Sequence, residues 1–206
     1  MKTYQKIKEL MEKEVSTEEE KKIKSIHVCS DFVPGKKINC IVNEDTTISI
    51  KKMIWGITPS WNTKVQITNT RAENIFSKQY NKSLIMQNRC VIIIKAYIEK
   101  KINSISNEEY VIFNNNTFLP VAGIYDTIKS TGLCIWKNNV LQCSMITKMA
   151  EKKINHIHHR MPAILPINSI DIWLSKKSTA IEIKKIITDM RIQNNDMSFY
   201  KIRGRK

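Results

Sequence analysis

The sequence predicts an α+β fold: a single domain with a many-stranded, mainly antiparallel, barrel-like β core and helices at its N- and C-terminal ends. Three observations carry this. Short runs rich in β-branched and aromatic residues recur between turn signals from about residue 38 to residue 147, the pattern of consecutive antiparallel strands. Apolar residues at helical spacing fall at the two ends of the chain. The 206 residues are 42% apolar with only five Gly and five Pro, which fits one buried core and no linker-rich region.

The elements follow in order. Tyr4, Ile7, Leu10 or Met11, and Val15 predict a helix over 1–15. Ser16 and Glu19 form a capping box for a short second helix through Lys24, with Glu18–Lys22 and Glu20–Lys24 as i,i+4 pairs on a solvated face. Val33-Pro34-Gly35 is a turn. Ile38–Val42, Thr46–Ile50 and Lys52–Ile57 read as short strands, the last stopped by Pro59. Asn88–Ile94 is a strongly apolar, β-branched run and reads as a buried strand; Tyr110–Phe113, Phe118–Ile124, Gly132–Trp136 and Leu141–Thr147 add four more. Asn114–Asn116 and Lys137–Asn139 are hairpin turns between them. Short helices are expected over Ser169–Leu174 and Ser178–Met190, followed by a basic tail, Tyr200–Lys206.

The net charge is +15, carried mostly by lysine, and such a field attracts polyanions, nucleic acid above all. No apolar run is long enough for a membrane span, so no membrane association is expected. The N-terminus lacks the apolar stretch of a signal peptide, and a cytoplasmic, monomeric protein is expected. The five widely spaced cysteines contain no C-x-x-C pair and read as reduced, structural thiols. Neither a metal nor a cofactor is expected.

Four segments carry chemistry. Asn155–Pro162 holds three of the four histidines and Arg160, one of only six arginines; Pro162 stiffens it into a loop or strand edge. Its plain alternative is a solvated basic loop. Trp55-Gly56-Ile57-Thr58-Pro59-Ser60-Trp61 offers two indoles that either stack on bases or fill the core. In an extended segment, Asn69, Arg71 and Glu73 would share one face. Glu99 ends the segment that begins with the buried strand; it is either a carboxyl of raised pKa suited to proton transfer or an ordinary strand-end ion pair. Arg71, Arg89 and Arg160 mark places where a planar fork is preferred in a lysine-rich chain.

Taken together and in order, these segments resemble the SOS response-associated peptidase family of abasic-site processing proteins. The family pattern, approximately N-V-A-P-G, W-G-L-I-P-S-W, N-A-R-A-E, R-C-L-I-P-A-D-G-F-Y-E-W and I-H-D-R-M-P, is matched by Phe32–Gly35, Trp55–Trp61, Asn69–Glu73, Arg89–Glu99 and Ile157–Pro162. The resemblance implies binding to single-stranded DNA at abasic sites. It also implies an N-terminal cysteine whose amine forms a Schiff base with the ring-opened sugar and whose thiol closes a thiazolidine crosslink. On this resemblance Asn69 would orient the sugar or the N-terminus, Glu99 would move protons, and His158 would act as general acid or base. Arg71 and Arg160 would hold phosphates, with Trp55, Trp61 and Pro34 shaping the DNA groove.

The chain departs from the pattern at position 2, which is Lys2 and not Cys. Thiazolidine formation needs an amine and a thiol on adjacent carbons, so the expectation is non-covalent binding, or transient Schiff-base, lyase-like chemistry through the amine of Met1 or Lys2. Lys95 and His159 each stand where the family has an acid. Two other classes remain open: a non-enzymatic nucleic-acid-binding module, and a metal-dependent hydrolase using His156, His158 and His159.

Overall fold

The computed structural model describes residues 33–44, 47–103, 107–114, 118–128, 139–188 and 197–202, together with Gln5 and Glu9. The two N-terminal helices, the Gly132–Trp136 strand, both Asn-rich turns apart from Asn114 and Asn139, and residues 203–206 of the basic tail lie outside the described residues.

The described strands are β1 (Lys37–Glu44), β2 (Thr47–Trp55), β3 (Asn69–Arg71), β4 (Arg89–Ile94), β5 (Ala96–Lys100), β6 (Glu109–Asn114), β7 (Leu119–Ile128), β8 (Val140–Met149), β9 (Arg160–Pro162) and β10 (Met197–Ile202). Neighbours run β2-β1-β4-β7-β8, and β2 then pairs with β8, closing a five-stranded barrel. Every pairing in the ring is antiparallel except the closing one, which is parallel through Ile54–Gln142 and Trp55–Cys143. The expected barrel-like α+β core is therefore present, as a mixed barrel. Strand β8 is its hub: past the point where β2 ends, β3 joins it in parallel and β9 antiparallel.

Alternation along the strands divides the apolar residues into two sets. Cys40 and Cys143 lie on strands that are not neighbours, yet their Sγ atoms are 3.6 Å apart. They meet across the barrel, so their set, with Val42, Cys90, Ile92, Val121 and Met145, fills the interior. These three cysteines are free thiols, and burial holds the Cys90 thiol above its usual pKa. The alternate set, Ile41, Val91, Ala122, Ile124 and Ile146, faces outward and is covered by Ile85, Trp173, Leu174 and Ile183 from the helices Gln79–Gln87, Ile170–Leu174 and Ala180–Thr188. The interior set continues into a three-stranded sheet, β10-β6-β5, through Ile112 and Met197.

Arg89 joins two of the covering helices to the barrel. Its buried guanidinium donates to the carbonyls of Ile85 (2.6 Å), Met86 (2.8 Å), Trp173 (2.6 Å) and Ser175. All four lie at helix C-termini, where carbonyls lack intrahelical partners and the dipole favours a cation. Burial pushes its pKa down to about 10.

Several boundaries differ from expectation. Thr47–Trp55 forms one strand of a hairpin where two were expected, with Lys51 and Lys52 paired to Cys40 and Asn39 instead of breaking it. Tyr200–Ile202 is the end of β10, not a tail: Met197 and Phe199 alternate inward and the strand pairs with β6 over six residues. The helices Gln79–Gln87 and Lys152–Asn155 are not evident in the sequence; the first buries only Leu84 and Ile85, too few to make a stripe.

Candidate functional site

The site forms along the end of β8, where β3 and β9 flank it. The register sets Asn69 and Arg71 opposite Met145 and Thr147, and Met161 and Arg160 opposite Lys148 and Met149. On β3 the middle residue, Thr70, is buried on the helix-covered face, where it shares a hydrogen bond with Ser144 Oγ at 2.8 Å, leaving Asn69 and Arg71 exposed on the other face. Arg71 makes no ion pair among the described residues. The chain then enters a 3-10 turn, Ala72–Asn74, so Glu73 does not continue the extended face.

Glu73 still reaches the site because Arg160 holds it. The two carboxylate oxygens accept from Nη1 and Nη2 of Arg160 at 2.7 and 3.1 Å, a bidentate pair. Nη2 also donates to the carbonyl oxygen and the hydroxyl of Thr147, at 2.6 and 3.2 Å. The Arg160 hydrogen bond holds the Glu73 carboxyl below the usual carboxylate range. Arg160 thus ties β9 across β8 to the end of β3, and its fork is already engaged. Only its Nε is buried without a partner.

His158 follows the short helix Lys152–Asn155, whose last turn carries the chain into Ile157, fully buried in the interior cluster. Burial of Ile157 and the start of β9 three residues later hold the His158 backbone between them. The backbone N–H of Arg160 donates to His158 Nδ1 at 3.0 Å and the Arg160 carbonyl oxygen lies 3.1 Å from the same nitrogen, so the backbone of β9 holds the ring in place. Glu99 approaches the same nitrogen, with Oε2 at 4.0 Å. The sheet positions it: Glu99 pairs with Tyr110 on β6 and lies on the β5 face that also carries Tyr97, toward the interior cluster. Burial raises the pKa of Glu99, and the nearby His158 partly opposes this. A half-buried carboxyl poised above its normal range beside an imidazole held in place can give up a proton and take one back.

Further polar groups surround the pair that the sequence did not single out. The Tyr97 hydroxyl is buried without a hydrogen-bond partner, and burial, then Glu99 and Glu151, hold its pKa above the ordinary phenol range. Lys148 and Glu151 form a half-buried ion pair. Only the i,i+2 spacing of Tyr97 and Glu99 on an expected strand could have flagged the tyrosine.

Pro34, Trp55 and Trp61 occupy different settings. Gly35, at φ +90°, donates its N–H to the Trp55 carbonyl at 2.7 Å, so the exposed Pro34 turn lies beside the end of β2. Trp55 is half-buried, donates Nε1–H to the Thr68 carbonyl at 2.9 Å and packs on the interior cluster. Gly56, at φ +123°, leaves no room for a Cβ against the Gln66 side chain. Trp61 is 66% exposed and meets Tyr80 edge-on at 6.3 Å. Met1 and Lys2 lie outside the described residues. Of the other histidines, His156 packs against Phe199 and His159 stacks on His158. Among the described residues no three His, Cys, Asp or Glu side chains converge as a metal-ligand set, and no helix is long and apolar enough to cross a membrane.

The structure is a closed mixed barrel that carries a half-buried carboxyl beside an imidazole, an exposed arginine and an arginine–carboxylate clamp. The chain belongs to the SOS response associated peptidase (SRAP) family, whose model matches residues 1–205. It is similar to abasic site processing protein YoqW of Bacillus subtilis, 25% identical over 159 residues that cover 74% of this chain and 69% of that protein. It is also similar to abasic site processing protein YoaM of the same organism, 25% identical over 182 residues, 84% of this chain and 76% of that one. The fold is shared with a crystal structure of a protein from Bacteroides thetaiotaomicron, at a TM-score of 0.71 and 24% identity over 82% of this chain and 75% of that one.

Proposed function

We propose that this protein binds abasic sites in single-stranded DNA and acts on the opened sugar. The observation that carries this reading is the Glu99–His158 pair beside the exposed Arg71 and the Arg160 clamp on β8. An abasic deoxyribose is a masked aldehyde. Opening its ring needs a proton on the ring oxygen, attack needs an unprotonated amine, and loss of water needs a proton relay. Glu99 supplies and retrieves protons, His158 presents Nε2 to the sugar or to the leaving phosphate, and Asn69 orients the sugar. Arg71 takes a backbone phosphate, while Arg160 keeps Glu73 and Thr147 in place at the phosphate track. Pro34 and the exposed Trp61 contact the DNA, and Trp55 supports the Pro34 turn from the end of β2.

On this reading the reacting amine is that of Met1 or Lys2. Amine and aldehyde condense to an imine with loss of water. Glu99 as carboxylate takes a proton from the adjacent sugar carbon, a carbon–carbon double bond forms and the bond to the 3′ phosphate breaks; water then hydrolyses the imine, returning the free amine and leaving a cleaved strand without a lasting crosslink.

The test is incubation with an oligonucleotide bearing one abasic site, with and without borohydride. The expected result is selective binding over intact single strands and an adduct that appears only with the reductant. A Lys2→Cys chain with Met1 removed should form a heat-stable adduct without reductant. Equal affinity for intact and abasic strands, with no adduct in either chain, would refute the proposal. The broad positive charge and the exposed Trp61 favour, as a second reading, a nucleic-acid-binding module without chemistry. On that reading Glu99→Gln would leave every measurement unchanged.

A further inference from the structure

The His158–His159 stack is the feature of this site that the acid–base chemistry leaves unused. Their ring centroids are 4.5 Å apart and the planes are inclined by 24°. His158 is half-buried, its ring held by the Arg160 N–H. His159 is exposed, and its carbonyl accepts from Ala150 N–H at 2.9 Å, which anchors it just past the end of β8. One face of the His159 imidazole is therefore covered by His158 and the other is open. Beside it on β8, Met149 is 58% exposed, an apolar side chain with no cover. Arg71 and the Arg160 clamp lie along the same strand end.

We propose that His159 is a nucleobase platform: a base flanking the bound lesion stacks on the open face of its imidazole, extending the His158–His159 pair, with Met149 at the edge. The inference rests on the DNA-lesion reading above. A nucleotide offers an anion at one end and a flat π-surface at the other. The strand end offers an arginine for the first and an aromatic ring for the second. A lesion without a base cannot fill a stacking position itself, so its neighbour must. The resembling family motif has an acid here, which could not stack and would repel phosphate. This chain thus carries a contact that the motif does not supply. Stacking is tolerant of base identity but stronger for the larger ring, so the platform favours a purine neighbour.

The experiment measures affinity for single-stranded oligonucleotides with one abasic site flanked by purine, by pyrimidine, or by further abasic positions. The chains are wild type, His159→Ala and His159→Phe, and 2-aminopurine beside the lesion reports stacking by quenching. Expected is a preference for the purine flank in wild type. His159→Ala should lose about five- to tenfold with that flank, less with pyrimidine, and nothing where no base is present. His159→Phe should keep both affinity and quenching. An equal loss for all three flanks would assign His159 to orienting His158 and overturn the platform, as would a failure of His159→Phe to retain quenching. If wild type does not distinguish abasic from intact strands, the lesion reading fails separately. The His159→Ala loss on intact strands then still decides whether bases stack on this ring.

Discussion

The two arginines of the site differ in what they have left to offer, and this gives opposite signatures in one experiment. Arg71 is exposed and makes no ion pair among the described residues, so a phosphate it binds is a phosphate newly neutralised. For single strands each such contact contributes about 0.7 to the slope of log affinity against log salt. Arg71→Ala should therefore weaken binding, flatten that slope by about 0.7, and leave stability within about 0.5 kcal/mol. Arg160 is already matched by Glu73, through bonds of 2.7 and 3.1 Å, and its side chain is only 13% exposed. Arg160→Ala breaks two bonds to a carboxylate and two to Thr147. Charge-assisted bonds contribute about 1.5–3 kcal/mol each when desolvated, but Glu73 is 45% exposed and regains water. The net loss is about 2–3 kcal/mol, or a Tm lower by about 4–12 °C in a chain of this size. The salt slope should move less than for Arg71→Ala, since the Arg160 charge is already matched by Glu73 before DNA arrives and neutralises no phosphate; the freed Glu73 carboxylate lowers affinity by repulsion. Fluorescence anisotropy across a salt series and thermal melts of the three chains suffice. A full 0.7 drop in slope for Arg160→Ala, with an unchanged Tm, would refute this reasoning and place Arg160 on phosphate instead of on Glu73.

Two further predictions concern stability. Glu99 has its pKa raised in the folded state, so folding favours its protonated form. The folded state is at its best below the ordinary carboxylate pKa and loses stability as pH rises through the raised value. Glu99→Gln should therefore melt like wild type near about pH 4 and above it near about pH 8; a melting point lowered at the higher pH would show that the charge is stabilising. Arg89→Met removes the cation shared by four helix-end carbonyls and should cost about 3–5 kcal/mol in denaturant unfolding. A loss below about 1 kcal/mol would mean that water replaces the guanidinium.

The strands of the barrel were legible because β-branched residues concentrate there: Asn88–Ile94 was read and Arg89–Ile94 is found. Closure was not legible, since the parallel β2–β8 pairing joins residues some ninety positions apart with no local signal. Pairing of β10 with β6 was hidden for the same reason, and the lysines and arginines after Tyr200 made the segment look like a tail. At the site, the resemblance picked out Glu99 and His158, and the sheet does bring them within 4.0 Å. It also marked Arg160 for phosphate without revealing that Glu73 occupies its fork. The sequence showed Glu73 as the third member of an alternating face; the 3-10 turn after Arg71 breaks that alternation and sends the carboxylate to Arg160 instead. Tyr97 was passed over because a tyrosine in a strand is usually core, and here only its hydroxyl lacks a partner.

The central claim is that Glu99 and His158 exchange protons with an opened abasic sugar. The most direct measurement is the single-turnover rate of borohydride-trapped adduct formation against pH, for wild type and Glu99→Gln. The account predicts a wild-type rate that falls on the acid side at a pH above the ordinary carboxylate range. In Glu99→Gln the part of the fall set by the carboxyl should disappear, leaving only the fall set by protonation of the amine, and the rate should be lower at every pH with DNA affinity retained. A Glu99→Gln chain that traps the abasic strand at the wild-type rate, with the same acid limb, would contradict it.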